Sequence, residues 1–125
     1  MTGLVLDAGA LITFERGDRK IEVLLRQALR RSITIAVPAG VVGQVWRDGR
    51  KQARLAQFLA KPNVTVIPLD DLNARASGQL CGLRATSDVI DASVVVCAAS
   101  RKSPVATSDP DDLRRLDPKL TLIEI

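Results

Sequence analysis

The segment Gly3 to Ile12 limits the fold of this chain more than any other. Leu4 to Leu6 is a short, continuous apolar run without polar alternation, which is typical of a strand buried on both faces of a parallel sheet. Asp7 follows directly, and the next residues suit a helix over positions 8–16. Since ligands of open α/β sheets bind beyond the carboxyl ends of the strands, the question is whether other carboxylates reach the edge where Asp7 lies.

Short apolar runs alternate with helical patterns along the rest of the chain. Four further strands are predicted, over Ser32 to Val37, Val64 to Ile67, Pro104 to Thr107 and Leu120 to Ile125. Three predicted helices cover Asp18 to Arg31, Pro38 to about Trp46, and Arg50 to Lys61. A fourth begins at Asp70 and Asp71 and carries the apolar residues Leu72, Ala76, Leu80 and Leu83. An apolar helix follows over Val89 to Ala99, and a short helix begins at Asp109. This order predicts a three-layer α/β/α sandwich with a mainly parallel central sheet, in a single domain of residues 1–125.

Composition narrows the chemistry and the location. The chain of 125 residues has no His, and its two cysteines, Cys81 and Cys97, form no CxxC pair. These features argue against a zinc site and predict two buried, reduced thiols. No apolar run reaches membrane-spanning length and no signal-peptide pattern opens the chain, so we expect a cytoplasmic protein without a membrane partner.

The charge balance permits a polyanionic partner. The formal net charge is +4, whereas aromatic residues are scarce, with no Tyr. A base-stacking platform needs several exposed rings, so any nucleic acid would be contacted mainly through its phosphates. The absence of His also removes the usual general base. An enzyme of this composition must therefore rely on Asp and Glu, and we expect a metal to assist them.

Aspartates stand where three of the predicted helices begin. Asp7 follows the first strand, Asp88 and Asp91 lie three residues apart, and Asp109 and Asp112 do so after the fourth strand. Residues at this spacing share one face of a helical turn. Taken singly, each aspartate suits an ordinary helix cap, and Pro after Asp109 is a common helix start.

Taken together, the aspartates predict a cation site. Helices that follow parallel strands begin at one edge of the sheet, so Asp7 and Asp109 should lie together, and Asp91 joins them if its turn faces that edge. None of these motifs offers a Lys, and clustered like charges recruit a cation. Mg²⁺ and Mn²⁺ prefer such oxygen ligands and support phosphodiester hydrolysis.

The three acidic segments resemble a known family. Asp7 in LVLDAGALI, Asp91 in SDVIDASVVVCAA and Asp109 in VATSDPDDL resemble the acidic motifs of PIN-domain nucleases, and more narrowly the VapC toxins of bacterial toxin–antitoxin pairs. The resemblance spans the whole chain. It implies a Mg²⁺- or Mn²⁺-dependent endoribonuclease that hydrolyses RNA phosphodiester bonds, forms a homodimer and is neutralised by a cognate antitoxin. It makes Asp7, Asp91 and Asp109 the catalytic and metal-binding residues, with supporting roles for Asp88, Asp112, Thr107 and Ser108.

One position departs from the family pattern. The family usually places a Glu in the helix after the second strand, and PAGVVGQVWRDG has Gln44 there. Gln offers a carbonyl oxygen to a cation but no charge. The alternative function is therefore a catalytically weak or inactive PIN-fold module that binds antitoxin or RNA. Gln44 is equally consistent with an ordinary polar helix residue.

Basic residues follow Gln44 at near-helical spacing. Arg47, Arg50 and Arg54 most simply form a solvated face, and in a nuclease they are the candidates for RNA phosphate contacts. The antitoxins of this family often lie in a groove of the toxin. Ile21, Leu24, Leu25, Val41 and Trp46 are candidates to line it, with plain core packing as the alternative. A receiver-like phosphoacceptor domain fits poorly, because Asp7 stands alone after its strand.

Overall fold

The computed structural model describes residues 3–125. Within that range the elements are β1 (Gly3–Leu6), α1 (Ala8–Glu15), α2 (Arg19–Arg30), β2 (Thr34–Pro38), α3 (Ala39–Val45), α4 (Ala53–Leu59), β3 (Val64–Ile67), α5 (Asp71–Arg84), α6 (Val89–Arg101), β4 (Val105–Thr107), α7 (Pro110–Leu116) and β5 (Leu122–Glu124). The predicted alternation of strands and helices is confirmed. No helix in this range is long and apolar enough to cross a membrane.

All five strands lie in one parallel sheet, in the order β3-β2-β1-β4-β5. Val5 of the central strand β1 pairs with Ala36 of β2 on one side and with Val105 of β4 on the other. From β1 the chain continues to the adjacent strand β2 on one side of the sheet, whereas from β4 it continues to β5 on the other side. The topological switch point of the sheet, where α/β proteins bind ligands, therefore lies between β1 and β4.

Helices cover both faces of the sheet. Because parallel crossovers are right-handed, α1 to α4 lie on one face and α5 to α7 on the other. Leu4, Val5 and Leu6 of β1 are at most 1% exposed, as expected for a strand covered on both faces. The predicted three-layer α/β/α sandwich is confirmed.

Helix α6 is the buried helix that its composition predicts. Six of its residues are buried: Ala92, Ser93, Val94, Val95, Cys97 and Ala98. The strand propensity of the run Val94–Val96 does not decide the local structure, because packing against the sheet and α5 overrides intrinsic preference. Cys97 and Cys81 are both buried free thiols, as predicted.

Helix α4 begins three residues later than predicted, at Ala53 rather than Arg50. The preceding loop is held by the side chain of Gln52. Its amide nitrogen donates to the carboxylate of Glu15, and its oxygen accepts from two successive backbone N–H groups that begin at Arg47. A long-range side-chain contact of this kind leaves no periodic signal, so the helical pattern alone predicts too long a helix. The closing strand is also shorter than predicted and covers Leu122–Glu124.

The apolar residues of α5 do not all face the core. The buried positions of this helix are Ser77 and Cys81, whereas Leu72 and Leu83 are exposed. Ser77 is satisfied because its hydroxyl donates to the carbonyl oxygen of Asn73 at 2.7 Å. Small side chains thus let α5 lie close to the rest of the protein, whereas Leu72 and Leu83 point to solvent and Leu80 is partly buried.

Candidate active site

Asp7 lies at the carboxyl end of β1 and is only 4% exposed. One carboxylate oxygen accepts the backbone N–H of Ala10 at 2.9 Å and caps α1, as predicted. The other accepts a hydrogen bond from the hydroxyl of Thr107. Burial raises the pKa of Asp7, and the hydrogen bonds from Thr107 and Ala10 oppose that rise. Each oxygen retains a lone pair, so capping does not exclude a second role.

Thr107, the last residue of β4, joins two of the acidic motifs. Its hydroxyl donates to Asp7 and accepts the backbone N–H of Asp109 at 2.8 Å. The neighbouring Ser108 lies against the first turn of α1, because a Cβ added at Gly9 would stand 2.1 Å from the Ser108 hydroxyl oxygen. Glycine at position 9 therefore allows the segment after β4 to approach the segment after β1 closely.

Asp109 begins α7 but does not cap it. Its carboxylate accepts no hydrogen bond from the first turn of the helix, so the ordinary capping role considered for this residue is not observed. The largest cause that raises the pKa of Asp109 is the charge of Asp112, followed by burial and then by the charge of Asp111. The Asp109 carboxylate is thus available to a ligand and lies beside another acid.

Asp91 is the acid whose pKa is raised most. Asp88 caps α6 by accepting the backbone N–H of Asp91 at 2.9 Å, as predicted. Burial, followed by the charges of Asp88, Asp112 and Asp7, raises the pKa of Asp91 to about 7. Since the charges of Asp7, which caps α1, and of Asp112 on α7 both raise the pKa of Asp91, the N-terminal turn of α6 faces the edge where Asp7 lies.

The structure therefore brings Asp7, Asp91, Asp109 and Asp112 to the switch point between β1 and β4. None of these four takes part in an ion pair within residues 3–125. In the same range, no three Asp, Glu or Cys side chains stand close enough together to form a closed metal-binding group. The donors nonetheless fit Mg²⁺ or Mn²⁺, because Mg²⁺ usually binds one or two carboxylates directly and keeps several waters.

Gln44 adds no charge to this cluster. Gln44 is exposed on α3, one helical turn after Gly40. A Cβ added at Gly40 would stand 2.4 Å from the Ile90 side chain. Residues four apart share a helix face, so Gln44 lies on the face of α3 that is turned toward the start of α6. That location is compatible with the family position usually filled by Glu.

The three arginines considered for RNA contacts differ in their surroundings. The Arg47 guanidinium donates to the carbonyl oxygens of Gly43 and Trp46 at 3.0 and 2.7 Å. Arg54 pairs with Glu22 and stacks over a phenylalanine ring. Arg50 is the freest, since its side chain is 94% exposed and its one ion pair, with Asp48, is 3.6 Å long.

The structure places a further basic residue, Arg115, beside the acids, and this residue is not among the candidates from the sequence. Arg115 lines a small cavity of about 180 Å³ together with Thr86, Asp88, Asp91, Asp112 and Leu116. Arg115 forms no ion pair in the part of the chain that the structure describes. Its spacing of three from Asp112 on one helix is the signal that could have identified it.

A separate groove of about 330 Å³ runs between α2 and α4. The side chains that line it are Phe14, Leu25, Leu29, Phe58, Glu22, Arg26, Arg54 and Lys61. Its aromatic floor is formed by two rings whose centroids are 5.2 Å apart, and three of its charged residues are basic. Ile21 and Val41, which were candidates to line such a groove, are 0% exposed core residues.

Comparison with known proteins agrees with this architecture. Residues 4–119 match the sequence model of the family described as PIN domain. Three solved structures are similar over nearly their whole length. VapBC2 from Rickettsia felis, bound to a DNA fragment from its promoter, has a TM-score of 0.73 and 15% identity, over 98% of each chain. A toxin–antitoxin complex from Klebsiella pneumoniae has a TM-score of 0.70 and 18% identity, over 98% of this chain and 99% of the other.

The third similar structure is FitAcB from Neisseria gonorrhoeae, with a TM-score of 0.66 and 16% identity, over 97% of this chain and 96% of the other. At such low identity these likenesses establish the fold alone. No curated protein has a sequence that matches the chain.

Proposed function

Because the chain belongs to the PIN-domain family, we propose that it is a VapC-like toxin. In this proposal it is a Mg²⁺- or Mn²⁺-dependent endoribonuclease that hydrolyses RNA phosphodiester bonds and is neutralised by a cognate antitoxin. PIN domains are generally nucleases, and similar structures include toxin–antitoxin complexes.

The observation that carries the proposal is the uncompensated acidic cluster at the switch point of the sheet. Asp7, Asp91 and Asp109 come from three different elements. Burial is the largest cause that raises the pKa of Asp7 and of Asp91, and the charge of Asp112 is the largest cause that raises the pKa of Asp109. Asp7 is buried and Asp91 is partly buried without an ion-pair partner in the described residues, which costs stability unless a counter-charge is present. A divalent cation offsets the repulsion, which explains why the chain keeps them together.

In this proposal Asp7 is the chief ligand of the cation, and Asp91 and Asp109 act nearby or through water. When bound, Mg²⁺ or Mn²⁺ supplies an activated water and stabilises the charge that develops on the phosphate oxygens. Thr107 holds Asp7 and the backbone of Asp109 in fixed positions. Asp88 orients the turn that carries Asp91. These hydrogen bonds preorganise the acids, which is the role of groups behind the direct ligands of a metal.

Two arginines are the best candidates to hold the RNA backbone. Arg115 lines the acidic cavity and Arg50 extends into solvent. Phosphate contacts orient a polyanion without selecting a base sequence. Arg54 contributes less in this scheme, because Glu22 already engages its guanidinium.

The antitoxin is proposed to occupy the groove between α2 and α4. Phe14 and Phe58 give this groove an aromatic floor, and Arg26, Arg54 and Lys61 give it a basic rim. A segment that presents apolar side chains between acidic residues complements this surface. A homodimer is also part of the proposal.

Cleavage of structured RNA tests the proposed function, with two aspartates as a matched pair. Asp7 and Asp70 both cap a helix through a 2.9 Å hydrogen bond from a backbone N–H three residues later, but Asp70 is not among the acids of the cluster. We expect divalent-dependent cleavage by the wild type and by Asp70→Asn, and none by Asp7→Asn. Equal cleavage by all three proteins would refute the proposal.

The second candidate function is a PIN-fold module that binds RNA or antitoxin without cutting, and Gln44 favours it. Filter binding of the same RNA distinguishes the two functions. A wild type that binds RNA but never cuts it with Mg²⁺ or Mn²⁺ would support the binding module.

A further inference from the structure

The net positive charge of this chain comes from a single segment. Residues 16–31 carry six basic and two acidic residues, a balance of +4, whereas the other 109 residues carry twelve of each sign. Most of this segment is helix α2. Since the segment alone accounts for the formal net charge of the whole chain, the positive field of the protein is centred on one helix rather than spread over its surface.

Helix α2 turns its basic residues to solvent. Its buried residues are Ile21, Leu25 and Ala28. Arg19, Arg26 and Arg30 follow one another at intervals of seven and four residues, so they form a line about 16 Å long on the opposite side of the helix. Two further basic residues lie beside this line. The five residues are exposed and are called the α2 basic face from here on: Arg19, Lys20, Arg26, Arg30 and Arg31.

No acid in residues 3–125 forms an ion pair with the α2 basic face. The two acids of the same segment have other partners. Asp18 caps the helix by accepting the backbone N–H groups of Lys20 and Ile21, and Glu22 pairs with Arg54 of α4. The five positive charges of the face are therefore open to a ligand.

The α2 basic face opposes the stability of its own helix. Arg19 and Lys20 occupy the first two positions of α2, where the helix dipole disfavours positive charge. Arg26 and Arg30 lie four residues apart, a spacing at which like charges repel. A solvated face that served only solubility would mix charges of both signs. The arrangement instead indicates a polyanionic ligand that neutralises the face.

Two features favour RNA as that ligand. The face is continuous with a proposed phosphate contact, because Arg54, which binds Glu22 of α2, lies on the helix that directly follows the loop of Arg50. In addition, α2 has no aromatic residue on which a base could stack, whereas guanidinium groups bind phosphate oxygens in pairs. The chemistry of the face thus suits the backbone of a nucleic acid rather than its bases.

We propose that the α2 basic face binds the phosphate backbone of the RNA substrate, beyond the bond that is cleaved. This inference rests on the proposed function, because it adds a second contact surface for the same substrate. The face binds RNA without selecting a base sequence, since phosphates are common to every sequence. It attracts and holds the polyanion, whereas the aspartates at the switch point act on the scissile phosphate.

Filter binding of a labelled RNA hairpin to the full chain tests the proposal, in the presence of a metal chelator that prevents cleavage. Arg19→Ala/Arg30→Ala should lower the affinity by about tenfold or more. It should also reduce the slope of affinity against salt by about 2, because two phosphate contacts are lost. A hairpin of another sequence should show the same losses. Arg26 is left unchanged, because it also lines the groove proposed for the antitoxin.

Arg84→Ala/Arg101→Ala is the matched control. It removes two exposed arginines from the last turns of α5 and α6, on the other face of the sheet, and lowers the net charge by the same amount. This variant should keep the affinity and the salt slope of the wild type. Circular dichroism verifies that each variant is folded.

Three results would overturn the proposal. The first is a wild type that does not bind the hairpin. The second is an Arg19→Ala/Arg30→Ala variant that binds the hairpin no more weakly than the control variant does. The third is displacement of the hairpin by an equal concentration of poly-glutamate with the same number of charges, which would assign the face to an acidic protein segment.

Separate binding and cleavage assays distinguish this inference from the proposed function. A protein that cuts RNA with Mg²⁺ or Mn²⁺ but binds it independently of Arg19 and Arg30 would refute the inference alone. A protein that binds RNA through these two residues and never cuts it would refute the nuclease and leave the α2 basic face in place.

Discussion

The hydroxyl of Thr107 donates a hydrogen bond to the carboxylate of Asp7, a residue 100 positions earlier in the chain. The same hydroxyl accepts the backbone N–H of Asp109 at 2.8 Å. One buried side chain therefore connects the ends of β1 and β4 and holds two acids of the cluster at the switch point. The geometry of the site depends on this residue although it carries no charge.

Thr107→Val should impair both stability and cleavage. Valine keeps the shape of threonine but leaves a buried oxygen of Asp7 and the N–H of Asp109 without their partner. We expect a loss of about 1–3 kcal/mol in the free energy of unfolding and a fall of about 10–100-fold in the cleavage rate. Urea denaturation and single-turnover cleavage measure these effects. Thr107→Ser retains the hydroxyl and should keep most of the stability and of the cleavage rate. A serine variant as impaired as Thr107→Val would show that the hydrogen bonds of Thr107 do not cause these effects.

Asp91 should make stability depend on pH when no metal is present. Folding raises its pKa from 3.8 to about 7, so the folded state binds the proton more tightly than the unfolded state. The contribution of Asp91 is therefore most favourable below about pH 4 and is lost as pH rises toward 7. Asp91→Asn should be more stable than the wild type at pH 8, by about 1–2 kcal/mol because solvent screens this partly exposed group.

Urea denaturation in the presence of a metal chelator measures the difference in the free energy of unfolding between the wild type and Asp91→Asn. This difference should shrink as the pH falls toward 4. Added Mg²⁺ should stabilise the wild type more at pH 8 than at pH 5, since the cation binds the deprotonated carboxylates. A wild type and an Asp91→Asn variant with parallel pH profiles would contradict the raised pKa.

Gln44→Glu should strengthen the site. If Gln44 occupies the family position usually filled by Glu, the substitution adds a charge on the face of α3 that is turned toward α6. We expect tighter Mn²⁺ binding and faster cleavage, by about tenfold each for 1.4 kcal/mol of added attraction. Gln79→Glu on the solvent side of α5 is the control for a change of net charge. No gain in Gln44→Glu over Gln79→Glu would remove Gln44 from the site.

Binding and cutting should be separable. Arg50→Ala and Arg115→Ala should weaken RNA binding across different RNA sequences, and each should reduce the slope of affinity against salt by about 1. Asp109→Asn should abolish cleavage and leave binding intact, because it removes negative charge near the phosphates. Filter binding at two salt concentrations measures both. A salt slope unchanged by both arginine variants would exclude them as phosphate contacts.

Much of the fold follows from local patterns. The run Leu4–Leu6 and the apolar helix α6 have a composition that suits a parallel sheet covered on both faces, so the three layers and the parallel sheet could be predicted. The spatial order of the strands, β3-β2-β1-β4-β5, was not predicted. The approach of Asp7 to Asp109 followed from the ends of β1 and β4, whereas Asp91 begins a helix that follows α5 and was predicted to join them only if its turn faces that edge. The acidic cluster is therefore visible in the sequence, although its chemistry is not.

Other features depend on contacts that no periodicity records. The side chain of Gln52 replaces the first turn predicted for α4, because it bonds to Glu15 and to the loop backbone. Ser77, rather than a leucine, lies in the core beneath α5. The shared hydroxyl of Thr107 and the position of Arg115 beside the acids likewise required the assembled structure. Long-range polar contacts and solvent-facing apolar residues are the parts that sequence patterns do not predict.

The most direct test of the acidic cluster is a calorimetric titration of Mn²⁺ into the metal-free protein. We predict saturable binding in the wild type and in Asp70→Asn, which retains the cluster and loses only a cap of the same geometry. Asp7→Asn and Asp109→Asn should each lose about tenfold or more in affinity. Equal Mn²⁺ affinity in the wild type and Asp7→Asn would contradict the claim that these aspartates form a divalent cation site.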